Sequence, residues 1–413
     1  MSSLDVDVIG GAYLEECAFP TRSICRGSGA RAAAILASLG AQVSLHSFTG
    51  PSKCHFEEIA RNLKFKLIAR DKQTDISFHY SHPLARPQIF PTSVSIEEQS
   101  NETVKAKNVL VFGMIEGRIP VHADRAVYDP QDGINSKHYT DNGSSANELA
   151  LVVSYSEGAA LTGKLIPTEI AACLLMQPNV VTAIVKCGPQ GALVATPNEM
   201  KWIGAFPSGR VYKIGSGDVF SAAFAFAWLT KGSSALLSAW FASRIVAAYV
   251  ECGMDSIDAL AVQGYWDDAN KGLIERTNSV ARIIPTSQIY LAGPFFTTAQ
   301  RWAVDEARAA LRDMGFRVFS PVHDVGLGSS DEVVQEDLFE LGRSQVVLAL
   351  LDGMDTGTIF EIGYARANGI PVIAVAESAR DSDLTMLFGS GCSVVDDYST
   401  GIYYACWQLM GDV

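Results

Sequence analysis

The sequence has no CxxC pair and no cysteine–histidine cluster at metal-ligand spacing. Its eight cysteines are scattered, which gives no zinc signal and suits reduced thiols rather than a disulfide framework. Positive charge is in deficit: 32 Lys and Arg stand against 45 Asp and Glu, a net charge of −13. That balance argues against a general partner for nucleic-acid polymers, while a local basic pocket can still hold a phosphate. No apolar run reaches membrane-spanning length. The most apolar stretches, residues 219–229 and 235–250, are too short or carry Arg244, and both read as core helices. The first residues lack the basic and apolar segments of a secretion leader. A cytoplasmic protein with no metal site and no membrane partner is expected.

What remains is an ordinary globular composition, 48% hydrophobic and 19% charged over 413 residues. That length exceeds one common core and predicts two domains. In the first part, residues 6–11 read as a strand ending in glycines. A glycine turn at 26–29 leads into an alanine-rich helix that stops at Gly40. Residues 43–48, 108–113, 126–128 and 182–187 read as further strands, and residues 192–195 as a partner strand after the Gly188–Gly191 turn. Strands alternating with helices predict a mostly parallel sheet covered on both faces.

The sharpest feature of this part is Gly215-Ser-Gly-Asp218 opening an apolar helix. Glycines let backbone amides converge at the helix N-terminus, so Gly215, Ser216 and Gly217 form a candidate phosphate site. Asp218 at its mouth is placed to take a proton from a hydroxyl being phosphorylated, or simply to cap the helix. Together with Asp129-Pro130, Glu157 before Leu161-Thr-Gly163, and Lys186-Cys-Gly-Pro-Gln-Gly-Ala192, this loop resembles the ribokinase (PfkB-type) family of sugar and nucleoside kinases over residues 5–260. The resemblance implies ATP and Mg2+ as cofactors if this domain is active. Several positions depart from the family pattern. Glu15 stands where the family has its sugar-binding Asp, and Arg31 where it has Asn. Ser154-Tyr-Ser-Glu157 replaces Asn-x-x-Glu, and Tyr212 and Lys213 precede the glycine loop. The Glu15–Arg31 interval is short, which predicts a trimmed substrate lid. Arg31 and Lys213 either favour an anionic ligand or are solvated surface charges. The domain is accordingly an active kinase, a nucleotide sensor or a scaffold.

A helical tail and connection are expected near residues 255–286. Residues 287–296 then restart the strand–turn pattern. The helix that follows, 299–314, carries Trp302, Ala303, Ala307, Ala310, Leu311 and Met314 on one side. Residues 316–319 read as a strand. Ser330 caps the next helix, which has Asp331 and Glu332 in its first turn and Asp337 further along. The apolar run 346–351 is a buried parallel strand, ended by Asp352-Gly. After a loop with Asp355 and Gly357, a helix starts near Thr358, with Ile362, Ala365 and Ala367 apolar, and stops at Gly369 before Pro371. This places Glu361 in the first helical turn at a strand's carboxyl end, where open α/β sheets hold ligands. The helix dipole predicts an ionised Glu361, available as a nucleophile or serving only the dipole.

Ile289-Tyr-Leu-Ala-Gly-Pro-Phe295, Asp337, and Asp355-Thr-Gly-Thr-Ile-Phe-Glu-Ile-Gly-Tyr-Ala365 resemble the nucleoside 2-deoxyribosyltransferase family, which includes nucleotide N-hydrolases. The resemblance covers residues 287–413. It implies Glu361 as nucleophile, Asp355 and Asp337 positioning substrate and handling the proton of the departing base, and Tyr290 orienting the glutamate; by residue type alone, Asp355 also reads as a loop cap, Asp337 as a solvent-facing helix residue and Tyr290 as core packing. Gly293, Pro294, Phe295, Gly357 and Thr358 would contact substrate, and a homo-oligomer without cofactor is implied for this half. Two carboxylates flanking a glycosidic bond fit that chemistry independently. The reading is α/β throughout: a ribokinase-like three-layer domain (1–260), a linker (261–286) and a smaller Rossmann-like, flavodoxin-like parallel-sheet domain (287–413). The expected activity is N-glycosidic cleavage of a nucleoside or nucleotide. The alternatives are a bifunctional kinase and glycosidic-bond enzyme, or a nucleotide-sensing regulator.

Overall fold

The computed structural model describes residues 4–92, 95, 96, 99, 102–253, 257–270, 287–326 and 330–412, with the side chains of 259, 269, 270 and 330–332 left out. The chain divides into two compact units, Met1–Ser208 with Tyr212–Val280, and Gly209–Val211 with Ala281–Val413. Both are α/β.

The first unit is built on a nine-stranded sheet. Its strands are β1 (Asp5–Ile9), β4 (Gln42–Thr49), β5 (Lys66–Asp71), β8 (Val104–Phe112), β9 (Val121–Asp129), β10 (Ser145–Ser154), β11 (Val180–Lys186), β12 (Ala192–Ala195) and β13 (Met200–Ile203). They lie in the order β13-β12-β11-β10-β9-β8-β1-β4-β5. Pairing is parallel except at β11–β12 and β12–β13. The helices are α1 (Gly27–Ser38), α2 (Lys53–Asn62), α3 (Tyr155–Thr162), α4 (Pro167–Leu175), α5 (Ser216–Ala225), α6 (Ala235–Cys252) and α7 (Ala259–Asn270). The alanines of α1 let it lie close to β1. A Cβ on Gly29 would come within 2.5 Å of the Gly10 carbonyl carbon, so neither position has room for a side chain.

A second sheet of four strands, β3 (Arg22–Arg26), β2 (Tyr13–Cys17), β6 (Ser77–Tyr80) and β7 (Gln88–Phe90), corrects the expectation of a trimmed lid. β2 and β3 form a tight hairpin, which is why the Glu15–Arg31 interval is short, and strands from further along the chain complete the sheet. The structure also departs from the usual helical crossover at two places. β8 returns to β9 through residues 113–120 alone, although parallel neighbours normally need a dozen or more residues and a helix. β9 returns to β10 through two single turns, Gly133–Asn135 and Tyr139–Asn142.

Among the described residues α6 is one helix with the length and composition to cross a membrane. It is the core helix expected from the sequence, with Ala239, Trp240, Phe241 and Ala242 buried. Arg244 is accommodated because its guanidinium lies over the rings of Phe206 (4.6 Å) and Tyr265 (4.8 Å). Trp266 of α7 stacks on Phe241 at 4.3 Å, so the helical tail expected here is packed on α6 and runs to Asn270, into the expected linker 261–286. The remainder of that linker, 271–286, lies outside the described residues, as do the side chains of the expected cap Ser330 and of Asp331 and Glu332.

The second unit is an all-parallel five-stranded sheet of β14 (Ile289–Ala292), β15 (Val318–Phe319), β16 (Val346–Leu350), β17 (Val372–Val375) and β18 (Ser393–Val395). The order β15-β14-β16-β17-β18 is the flavodoxin-like 2-1-3-4-5 arrangement, whose switch point lies between β14 and β16. Its helices are α8 (Thr298–Asp313), α9 (Pro321–Asp324), α10 (Ser330–Arg343), α11 (Thr356–Ala367), α12 (Thr385–Gly389) and α13 (Tyr398–Met410). α8 buries Val304, Ala307 and Leu311, whereas Trp302, expected on the same side, is 47% exposed. All five residues of β16 are buried. Leu348→Ala in that strand is expected to cost the second unit about 2–5 kcal/mol, read as an earlier unfolding midpoint in denaturant.

Candidate active site

Parallel strands buried on both faces leave polar chemistry to their carboxyl ends. At the β14–β16 switch point the chain places Tyr290 within β14, the turn Gly293-Pro294-Phe295 after it, and Asp355 with Glu361 beyond β16. Tyr290 is fully buried, its ring stacked on Phe319 at 5.5 Å. Its hydroxyl donates to Glu361 Oε1 at 2.5 Å. A buried phenol needs a partner, and here the partner is the carboxylate that the sequence singled out.

Glu361 differs from expectation in one respect. Asp355 is the N-cap of α11, accepting from the Thr358 amide (2.8 Å) and hydroxyl (3.1 Å). The helix therefore starts at Thr356, and Glu361 falls in its second turn rather than its first. The dipole weakens beyond the first turn, and burial outweighs it. Burial pushes the Glu361 carboxyl up to about 7, the Tyr290 hydrogen bond pulls it back, and the charges of Asp337 and Asp355 push it up again. Asp337 on α10 rises to about 6 through burial and the neighbouring Glu336. Its Oδ1 is buried without a hydrogen-bond partner among the described residues. Tyr290 is raised by burial and then by Glu361 and Asp337, so its hydroxyl stays protonated and donating. The site thus holds carboxyls near their titration midpoints at neutral pH, the condition for both nucleophilic and acid roles.

The other expected contacts are placed as follows. A Cβ on Gly293 would meet Leu350 Cβ at 3.2 Å, so the turn passes close over the end of β16. Pro294 is buried. Phe295 stacks on Phe296 at 5.0 Å, and Phe296 is 70% exposed, an open aromatic face. Gly357 is exposed in the first turn of α11. Thr358 is buried and its hydroxyl donates to Asp355, so it supports the helix start rather than offering an open substrate contact.

In the first unit, Gly215 caps α5 with φ +80°, and Ser216 and Gly217 begin the helix. Asp218 follows, 8% exposed. Arg31 is not a surface charge: it is 1% exposed, and its guanidinium bridges Glu15 and Asp218. Nη1 donates to Asp218 Oδ2 at 2.8 Å and to Glu15 Oε1 at 3.1 Å, and Nη2 donates to Glu15 Oε2. Gln131 Nε2 donates to Asp218 Oδ1 at 2.8 Å, so both oxygens of the candidate base are engaged. Burial alone would lower the Arg31 pKa, but Glu15, Tyr249 and Asp218 hold it above its ordinary range. Burial raises Asp218; Arg31 opposes this, and Glu15 and Asp129 add to it. Nearby, Lys186 donates to Asp129 at 2.5 Å and Ser221 to the same oxygen at 2.7 Å. Glu157 is pushed up to about 7 by burial and then by Asp129. The sequence singled out Arg31 but not its burial or its pairing, because its partner Asp218 is 187 residues away.

These two architectures define the class: a ribokinase-like α/β unit and a Rossmann-like parallel-sheet unit in one chain. More particularly, residues 149–258 match the family model for pfkB family carbohydrate kinases. Residues 289–398 match the one for nucleoside 2-deoxyribosyltransferases. One chain thus carries a region matching each of the two models, and both are models of enzyme families. No curated protein sequence matches it. Among solved structures, a provisionally named ribokinase from Agrobacterium tumefaciens aligns with TM-score 0.51 at 14% identity, covering 66% of this chain and 99% of its own. The tetrameric inhibited form of phosphofructokinase-2 from Escherichia coli aligns with TM-score 0.48 at 12% identity, covering 65% and 100%. A nucleoside kinase from Methanocaldococcus jannaschii, an archaeal member of the ribokinase family, gives 0.46 at 15%, covering 65% and 99%. At 14% identity, the likeness to the first of these concerns the fold alone.

The raised Glu361 pKa also ties stability to pH. The folded protein holds this proton more tightly than the unfolded chain, so the contribution is complete below the unfolded value of 4.5 and is lost as pH rises through about 7. Glu361→Gln removes the titration. The variant is expected to gain on wild type by up to about 3 kcal/mol between pH 4.5 and 8, measured as the difference in denaturant midpoints across pH.

Proposed function

We propose that the second unit cleaves the N-glycosidic bond of a nucleoside or nucleotide, with Glu361 as nucleophile. The observation that carries this reading is the Tyr290 hydroxyl on Glu361 Oε1 at the sheet's switch point. A match to the deoxyribosyltransferase model over the same residues supports it. In the reaction the C1′–N bond breaks, its electron pair leaves with the base, and the Glu361 carboxylate closes on C1′ to form a glycosyl ester. The departing nitrogen takes a proton. Asp337, raised to about 6 with one oxygen unpartnered among the described residues, is better suited to supply it than Asp355, whose Oδ2 is held by the helix start. Tyr290 steadies the ionised form of Glu361 by its hydrogen bond. Water or a second base then attacks C1′ and regenerates the carboxylate.

Incubation with nucleosides, deoxynucleosides and their monophosphates, with and without an acceptor base, tests this by chromatography of the products. Wild type is expected to release free base, and a new nucleoside only with added acceptor if it is a transferase; Glu361→Ala is expected to fall to background. Base release should trace a bell in pH: the Asp337 acid, titrating near 6, is lost as pH rises, and the Glu361 nucleophile must be ionised, with a midpoint near 7. Tyr290→Phe should lower the rate about ten- to a hundredfold and move that midpoint upward. Release of base by Glu361→Ala at the wild-type rate would refute the assignment.

A second reading concerns the first unit: the bridge from Arg31 to Asp218 favours a role other than phosphoryl transfer. A base with one oxygen on a buried guanidinium and the other on an amide is poorly placed to take a proton. The residues therefore do not fit the ATP and Mg2+ chemistry of an active kinase, and we derive no step through them. ATP consumption across a panel of sugars and nucleosides is expected to stay at background in wild type. Turnover that disappears in Asp218→Ala would reverse this conclusion.

A further inference from the structure

One side chain spans the two loops at the mouth of the β14–β16 crevice. Gln300 closes the capping box of α8: its backbone amide donates to Thr297 Oγ1 at 3.2 Å. Its side-chain Oε1 accepts from the amides of Phe296 (3.2 Å) and Thr297 (3.0 Å). Two donors converging on one atom fix which end of the carboxamide is oxygen. Nε2 therefore faces the other way, toward the loop after β16. A Cβ on Gly353 would stand 2.9 Å from it, and that glycine holds φ +93°.

A capping box needs only the oxygen, which glutamate supplies as well as glutamine. Glutamine adds a donor, and this one has no hydrogen-bond partner among the described residues. The side chain is half-buried, so the donor is held in one direction yet open to an incoming group. The surroundings decide which group. The turn that Gln300 clamps presents the stacked Phe295–Phe296 pair, with Phe296 open to solvent. The facing loop carries Asp352, which accepts from the amides of Glu377 (3.0 Å) and Ser378 (2.8 Å), and Asp355 at the start of α11. Arg301, next to Gln300, is paired with Asp305 at 3.4 Å. Two carboxylates across from a neutral donor disfavour an anion there. An aromatic face beside an N–H suits a neutral planar group with acceptors on its edge.

We propose that Gln300 recognises the nucleobase, Nε2 donating to a carbonyl oxygen or ring nitrogen on its edge. The inference rests on the glycosidic reading of the second unit and names the part of the substrate that this donor reads: the base, not the sugar or a phosphate. Gln300 acts in recognition and takes no part in breaking the bond.

Gln300→Glu separates the two roles of the side chain, because it keeps the capping oxygen and removes the donor. Its thermal midpoint is expected to be unchanged or slightly higher, since a carboxylate suits a helix N-terminus. Affinity is measured by calorimetry on full-length Glu361→Ala, with and without Gln300→Glu. The probes are deoxyadenosine, deoxyguanosine, deoxycytidine and thymidine, followed by methyl 2-deoxyriboside, which has no base. Affinity for at least one nucleoside is expected to fall about tenfold, with no change for methyl 2-deoxyriboside. With Glu361 intact, Gln300→Glu should raise KM for that nucleoside about tenfold and leave kcat nearly unchanged. Equal nucleoside affinity in the two proteins would overturn the proposal and leave Gln300 a helix cap. An equal loss for methyl 2-deoxyriboside, or no saturable binding of any nucleoside, would overturn it as well. Base release by Glu361→Ala at the wild-type rate is a separate failure: it removes the nucleophile and leaves the affinity comparison standing.

Discussion

A parallel strand covered on both faces has nowhere to put a polar side chain except at its ends. β16 obeys this constraint along its whole length, since all five of its residues are buried. The loop after it must then carry the ionisable groups, and the crossover helix that follows must start where the loop allows. Asp355 fixes that start by capping α11, and the helix brings Glu361 back over β14 to meet Tyr290. The nine-stranded sheet applies the same rule at larger scale. Asp129, Glu157, Lys186 and Asp218 lie at or beyond the carboxyl ends of strands whose interiors are apolar.

Both units bury carboxylates, and the partner decides what each carboxylate can do. Glu361 is given a neutral hydroxyl, which steadies its charge without cancelling it, and it titrates near neutrality. Asp218 is given a guanidinium that it shares with Glu15. Desolvation costs are similar in kind, but here they are offset by a full counter-charge. A ribokinase-like frame has thus kept its glycine turn and its aspartate while the space in front of them is filled from within by Arg31.

Much of this was legible in the residue pattern. The apolar run at 346–351, the glycine turns at 26–29 and 215–217, and the stop at Gly369 each have a local cause and appear within a residue or two of where they were expected. The placement of the two carboxylates of the candidate site was legible for the same reason: Asp355 and Glu361 lie on one strand–loop–helix passage. The start of α11 was misjudged by two residues because a capping aspartate and a loop aspartate look alike without coordinates. Arg31 was legible as a departure from the family pattern, but its burial and its partners were not. Its burial depends on Glu15, Asp218 and the underside of Gly215, which come together only in the folded sheet. The four-stranded sheet was hidden in the same way, because half of its strands come from residues 77–90.

The connection from β8 to β9 is nearly a taut line. β8 spans nine residues, so the chain must travel back roughly 26 Å before β9 can begin in parallel register. The peptide steps from Phe112 to Val121 reach at most about 32 Å, and some of that is used in crossing sideways. Surface connections ordinarily gain and lose residues with little consequence. This one can lengthen across generations but has almost no slack to shorten, so its length is held by geometry before any selection on its side chains begins.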